Sequence, residues 1–245
     1  MVSKSQIKLL NSLSQKKYRV KNNMFRAEGV KLVKDILSSG IKPHYIFTTD
    51  SSLLWEGVSP ETLVSMDIDT AKKCSLLSTP SSVIAIFEKP IATTKEISGE
   101  WALALDGISD AGNLGTIIRL ADWFGLDRIY ASTKTVDLYN PKVVQSTMGS
   151  IARVEVEYTD LEELCHAAQK NGYHTTGTFM KGDSVYDLVP AKRLLIMGSE
   201  AHGISPQIEN LATERITIPR FSESGPESLN VAVATSILVS QLVKK

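Results

Sequence analysis

The chain has 245 residues, 42% of them hydrophobic and 22% charged, with as many basic as acidic groups. That size suits one large globular domain or two small ones. The absence of any apolar run of about 18 residues excludes a membrane-spanning helix, and two widely separated cysteines, Cys74 and Cys165, exclude a disulfide or zinc framework.

The first six residues have no apolar stretch, so no secretory signal is expected, and the idle thiols suit a reducing cytoplasm. The neutral average hides an uneven distribution. Residues 1–34 hold nine Lys or Arg against one acid, Glu28, leaving 18 basic and 26 acidic groups for the rest. Such a basic head reads either as a dock for a polyanion or as a solvated lysine-rich face.

In chain order, apolar spacing predicts a short helix over 5–13, a strand over 24–29 ending at a glycine, and a helix over 30–38 with Gly40 past its end. Strands are predicted over 45–48, 63–66 and 83–87. Residues 88–100 are polar, lack a period and contain Pro90 and Gly99, which marks a linker. The expected organisation is therefore a small α/β domain over 1–88, a linker over 89–100 and a second domain over 101–245.

The second domain alternates. Strands are predicted over 101–105, 128–131, 153–156, 173–178, 194–197 and 215–218. Helices are predicted over 114–124, 141–148, 161–170, 206–211 and 229–243. Asn140 and Pro141 fit N-cap and first-turn positions, with Gly149 at C′; Asp160 or Thr159 caps the following helix, which Gly172 ends. This pattern predicts an α/β fold with a mostly parallel sheet covered on both faces. Ligands of such sheets bind beyond the carboxyl ends of the strands. The usual nucleotide fingerprints are missing: there is no GxGxxG, no GxxxxGK[ST] and no GxSxG, and the four histidines lack metal-ligand spacing, so no metal is expected.

Three loops at strand ends remain. After 101–105, Asn113 is placed to cap a helix on which Arg119 leans back toward the amino end; the plain alternative is a surface arginine paired with Asp122. After 194–197, Gly198 and Gly203 bracket Glu200; alternatively this is a turn with Ser205 capping the next helix. Residues 216–231 form a polar loop whose following helix amides suit a polar ligand, or an ordinary turn with Ser228 as N-cap.

Taken together, these segments resemble the three motifs of the SpoU (TrmH-type) RNA ribose 2′-O-methyltransferases. The matching residues are Asn113, Leu114, Gly115 and Arg119; Gly198, Ser199, Glu200 and Gly203; and Ile218 with Pro219, then Ser228, Leu229, Asn230 and Val231. Residues 140–149 resemble the family's helix before its third strand, and the likeness spans about residues 100–243. Residues 220–227 are slightly longer than is usual there. Lys17 to Arg19 and Phe25 to Gly29 resemble, more weakly, the ribosomal-protein-like RNA-binding domain often fused ahead of this catalytic domain.

The resemblance implies a trefoil knot near the carboxyl end, S-adenosylmethionine as cofactor and a homodimer; Val231, Val233, Ala234, Ile237, Leu238 and Leu242 leave the last helix little polar face, as expected if core and partner bury it together. It implies methyl transfer to a ribose 2′-oxygen of RNA, with ribosomal RNA favoured over transfer RNA. A non-catalytic RNA-binding or ribosome-assembly protein on the same fold is the rival reading. Arg119, Asn113, Glu200 and Asn230 are the implied catalytic residues. Met197, Gly198, Gly203, Ile218, Ser228, Leu229 and Asn230 are the implied cofactor residues. Lys16, Lys17, Arg19 and Arg26 are expected to meet RNA phosphates.

Overall fold

The structure is a computed structural model and describes all residues except 92, 94, 95, 225, 226, 244 and 245. Parts of the expected linker (92, 94 and 95) and of the expected polar loop (225 and 226) thus lie outside the described residues. The chain forms two compact units, residues 1–91 with 137–153, and residues 92–136 with 154–245.

The first unit begins with α1 (Lys4–Ser12), where Ser3 and Gln6 exchange side-chain and backbone hydrogen bonds as a capping box. Helix α2 (Lys16–Asn22) follows and ends at Asn23 in the left-handed conformation. The sequence did not show α2, because its one buried residue is Arg19 and it has no apolar stripe. Next come β1 (Met24–Glu28), α3 (Val30–Ser38), β2 (Pro43–Thr48), β3 (Leu63–Ser65), α4 (Ile68–Cys74) and β4 (Val83–Glu88). Helix α4 also escaped the pattern: seven residues are too few for a period, and its signal is the cap, Asp67 accepting from the Thr70 amide.

The sheet order is β1-β4-β2-β3, antiparallel except between β2 and β3. The wholly buried Val83 to Phe87 place β4 at its centre, as two covered faces require. Leu10, Leu13, Phe47, Ile84 and Ile86 form a core on one side.

In the second unit the chain runs through β5 (Trp101–Asp106), α5 (Ala111–Trp123) and β6 (Arg128–Ala131). It then returns to the first unit with α6 (Pro141–Ser146), which packs on β1; Tyr139 meets the Phe25 ring at 4.8 Å. Asn140 caps α6 and Pro141 opens it, as expected, but Met148 takes the left-handed position past its end and Gly149 repeats it. A Cβ on Gly149 would overlap the Asp35 side chain, which explains the glycine.

The second unit continues with β7 (Glu155–Tyr158), α7 (Leu161–Lys170), β8 (His174–Ser184), β9 (Arg193–Gly198), α8 (Pro206–Glu209), β10 (Glu214–Thr217) and α9 (Val231–Leu242). Strand β7 starts two residues later than predicted because a 3-10 turn occupies Ser150–Ala152. Strand β8 runs six residues further than predicted, pairing with β10 across a bulge between Arg215 and Ile216, where Gly182 lies too close to the β10 backbone for any side chain. All pairings in the order β10-β8-β9-β5-β6-β7 are parallel. Consecutive buried residues on β5 and β9 show that both faces are covered.

Candidate active site

Strands β5 and β9 are neighbours at the middle of the sheet, and their last residues, Asp106 and Gly198, stand opposite each other. From here β5 leads toward β6 on one side, while β9 leads toward β10 on the other. Connections that part in opposite directions leave a crevice at the carboxyl ends of the strands.

The β5 loop is fixed first. Gly107, at φ 73°, donates its amide to Ser132 Oγ (2.9 Å), and Thr135 Oγ1 donates to the Leu105 carbonyl (3.2 Å). Asp110, not Asn113, caps α5: its Oδ1 accepts the Asn113 amide at 2.9 Å. The sequence reading began this helix three residues late because Gly112 is a poor helix former; the signal was the Asp three positions before Asn113. The Asn113 side chain is thereby released for another use.

The β9 loop closes on itself. Ser199 and Gly203 exchange backbone hydrogen bonds of 3.0 and 2.9 Å, with Gly203 at φ 67°. A Cβ on Gly198 would overlap the backbone of Gly203 and Ile204, so the glycine is a packing requirement. Glu200 projects from this small turn and is exposed. Buried Asp106 holds the base of the loop, its Oδ2 accepting the Ser205 amide at 2.8 Å. Neither Asp106 nor Asp110 was singled out from the sequence.

Asn230, not Ser228, caps α9. Its Oδ1 accepts from the Ala232 and Val233 amides at 3.0 and 3.3 Å. Its Nδ2 donates to Asn113 Oδ1 at 3.0 Å, and Asn113 Nδ2 in turn donates to Glu200 Oε1. A directed chain of hydrogen bonds thus runs from the positive end of α9 through two amides to a carboxylate. Each bond fixes the orientation of the next amide, and the sense of the chain requires Glu200 as the final acceptor.

Three of the four residues expected to be catalytic are therefore joined. Arg119 is not joined to them. It is exposed on α5 and makes no hydrogen bond or ion pair with the described residues, including Asp122. Of the expected cofactor residues, Met197 is buried at the end of β9, Ile218 is half-buried just past β10, and Ser228 and Leu229 are exposed immediately before the Asn230 cap.

The basic head divides. Lys16 and Lys17 are exposed, Lys17 lying 4.8 Å over the Tyr18 ring. Arg19 and Arg26 are not free for phosphates, which corrects the sequence expectation for both. Arg19 is buried, bonded to Asp137 (2.6 Å) and to the Leu13 and Ser14 carbonyls. Arg26, 1% exposed, pairs with Glu28 at 2.6 Å and donates to the Cys74 carbonyl. Burial pulls the Arg26 guanidinium below its usual pKa, against the raising effect of Glu28. Residues 26 and 28 share one face of a strand, so the acid that looked isolated in the sequence is the arginine's partner.

The profile of the SpoU rRNA Methylase family matches residues 100–240. The chain belongs to the SpoU rRNA methylase family. The profile of an MRM3-like substrate binding domain matches residues 4–85 of this methylase. The chain is 30% identical over 253 residues to the Bacillus subtilis 23S rRNA (guanosine(2553)-2'-O)-methyltransferase RlmP, covering 96% of itself and 95% of that relative. It superposes on a putative TrmH-family RNA methyltransferase of Porphyromonas gingivalis with a TM-score of 0.88 at 35% identity, over 99% and 98% of the two chains. An AdoMet-bound rRNA methyltransferase of Sinorhizobium meliloti gives 0.84 at 27% identity, over 99% and 96%.

This SpoU methylase is thus an S-adenosylmethionine-dependent RNA ribose 2′-O-methyltransferase, and the trefoil knot follows from its fold family. The residues present fit the cofactor. Leu229, 46% exposed, follows the exposed Ser228, an apolar face beside a polar handle that suits an adenosyl group. A pocket of about 60 Å³ beside Trp101, Arg128 and Tyr130 is too small for that cofactor and lies at the opposite, amino ends of β5 and β6.

Proposed function

We propose that this methylase acts on a ribose of ribosomal RNA, in the cytoplasm and as a homodimer, and that Arg119 stabilises the developing 2′-oxyanion. The observation that carries the reading is the hydrogen-bond chain from α9 through Asn230 and Asn113 to Glu200, built on the same helix as an unengaged arginine. A ribose hydroxyl is a weak nucleophile at neutral pH, so alignment and charge stabilisation must supply much of the rate. S-adenosylmethionine, when bound, would supply an electrophilic methyl on a sulfonium leaving group, and the 2′-hydroxyl proton would pass to water.

Arg119 keeps its proton, so its role is electrostatic: it lowers the cost of charge on the 2′-oxygen and holds a neighbouring phosphate. Asn113, Glu200 and Asn230 orient the ribose. Met197, Gly198, Gly203, Ile218, Ser228, Leu229 and Asn230 form the cofactor wall. The first unit grips RNA through exposed lysines, Lys4, Lys8, Lys16, Lys17, Lys21, Lys31 and Lys34, rather than through Arg19 or Arg26. Self-association is supported by α9, where Val233 is 48% exposed and Ala234, Ile237 and Leu242 are only partly covered.

Arg119→Ala is expected to lose nearly all methyl transfer while keeping S-adenosylmethionine binding by calorimetry. Near-wild-type turnover would remove Arg119 from the chemistry. Mapping ribose methylation across total RNA with and without the gene tests the substrate; no ribosomal position changing would refute the ribosomal reading.

A further inference from the structure

The outward stripe of α5 does not end at Arg119. Residues on a helix turn by about 100° each, so Gly112, Thr116, Arg119 and Trp123 share one face while Leu114, Ile117, Ile118 and Ala121 are buried on the other. Thr116 spends its hydroxyl on the Gly112 carbonyl. Arg119 is exposed without a partner among the described residues. Trp123, the last residue of α5, is 84% exposed, whereas Trp55 and Trp101 are both partly buried. An indole left this open forgoes burial that aromatic side chains normally obtain.

We propose that Trp123 is a stacking platform for a nucleobase of the RNA substrate, placed so that Arg119 holds the phosphate next to that base. Arg119 and Trp123 are four residues apart, hence neighbours on the helix surface with about 6 Å between them. That matches the reach from a backbone phosphate to its own base plane. RNA that is read in single-stranded form splays its bases onto exposed aromatic rings while cations follow the phosphates. A protein partner would fit less well: the rest of the stripe is Gly112, Thr116 and a charged Arg119, with no other large apolar side chain on that face of α5. The pairing of base and phosphate rests on the reading of Arg119 as substrate-facing. Trp123 then selects how the target strand lies across the site and is a positioning residue.

The test uses the full chain and ribosomal RNA stripped of protein. Acrylamide quenching of tryptophan emission should fall when this RNA is added to the wild type, and the protection should vanish in Trp123→Phe, which leaves Trp55 and Trp101 as the remaining emitters. In filter binding, Trp123→Ala should weaken RNA affinity on the order of tenfold and Trp123→Phe should retain most of it. Both variants should bind S-adenosylmethionine like the wild type, which confirms folding. Arg119→Ala should keep the RNA protection of Trp123 while losing turnover. Normal turnover in Arg119→Ala with protection intact sinks the catalytic reading of Arg119 and leaves the stacking standing. Unchanged quenching on adding RNA, together with unchanged affinity in Trp123→Ala, overturns the stacking. So does a halved sedimenting mass in Trp123→Ala, which would make the indole a contact between two copies of this chain.

Discussion

Asn113 and Asn230 show how much of this site rests on the direction of single amide groups. Each has one oxygen and one nitrogen committed by its neighbours, so neither amide flips without breaking two contacts. Asn230→Asp is informative for that reason. A carboxylate still caps α9 but cannot donate to Asn113, so stability in urea should hold while turnover falls by at least tenfold, an order-of-magnitude expectation for a misaligned site. Gly198→Ala is expected to weaken S-adenosylmethionine binding measured by calorimetry, because the new methyl would displace the backbone of Gly203 and Ile204. The cysteines should be silent. Both are buried, and burial pushes the Cys165 thiol up to about 12 and raises Cys74 as well. A thiol reagent at pH 8 should label neither in the folded protein and both after denaturation.

Among the elements, β1 and α9 are the two whose roles the sequence least discloses. Strand β1 reads as a strand whose Arg26 meets RNA, yet its Arg26 and Glu28 are an internal pair that also pins the segment after α4: Glu28 accepts from the Leu76 amide (2.9 Å) and the Ser75 hydroxyl (2.8 Å). Removing one partner leaves a buried charge. Arg26→Ala should therefore destabilise the first unit by about 3 kcal/mol or more, seen as a lower melting temperature, whereas Lys16→Ala and Lys17→Ala should leave melting unchanged and weaken RNA binding with a shallower salt dependence. Helix α9 reads as a largely apolar segment, and the sequence expectation started it two residues early, at 229, with Ser228 as its cap. The cap lies at Asn230 because that side chain reaches both the first helical amides and Asn113, a contact across 117 residues that no local pattern encodes.

For the whole molecule, the amino ends of the central strands are tied by Glu214, which accepts from Arg193 on β9 (2.8 Å) and Thr176 on β8 (2.8 Å) and lies 3.3 Å from His174. Partial burial acts to raise the Glu214 carboxyl, but these hydrogen bonds and the Arg193 and His174 charges outweigh it and hold the pKa below the usual 4.5. A carboxylate lowered on folding contributes stability that is fully present above its unfolded value and is lost as pH falls through the folded one. Urea unfolding of the wild type should thus weaken more steeply below pH 4.5 than that of Glu214→Gln. Cutting the chain after residue 88 would not yield a clean catalytic fragment, because residues 137–153 belong to the first unit and would lose their partner strand β1. By itself the sequence determined the strand–helix alternation, the three loops at strand ends and, through the motifs in them, the family, because hydrophobic period, caps and glycines are local consequences of backbone geometry. The tertiary structure decided what lies far apart in the chain: that Asp106 and Gly198 end side by side, that Asn230 rather than Ser228 reaches Asn113, and that Arg19 and Arg26 are internal. Burial and pairing of a charge depend on partners as distant as Asp137, and only the packed chain brings those within hydrogen-bond range.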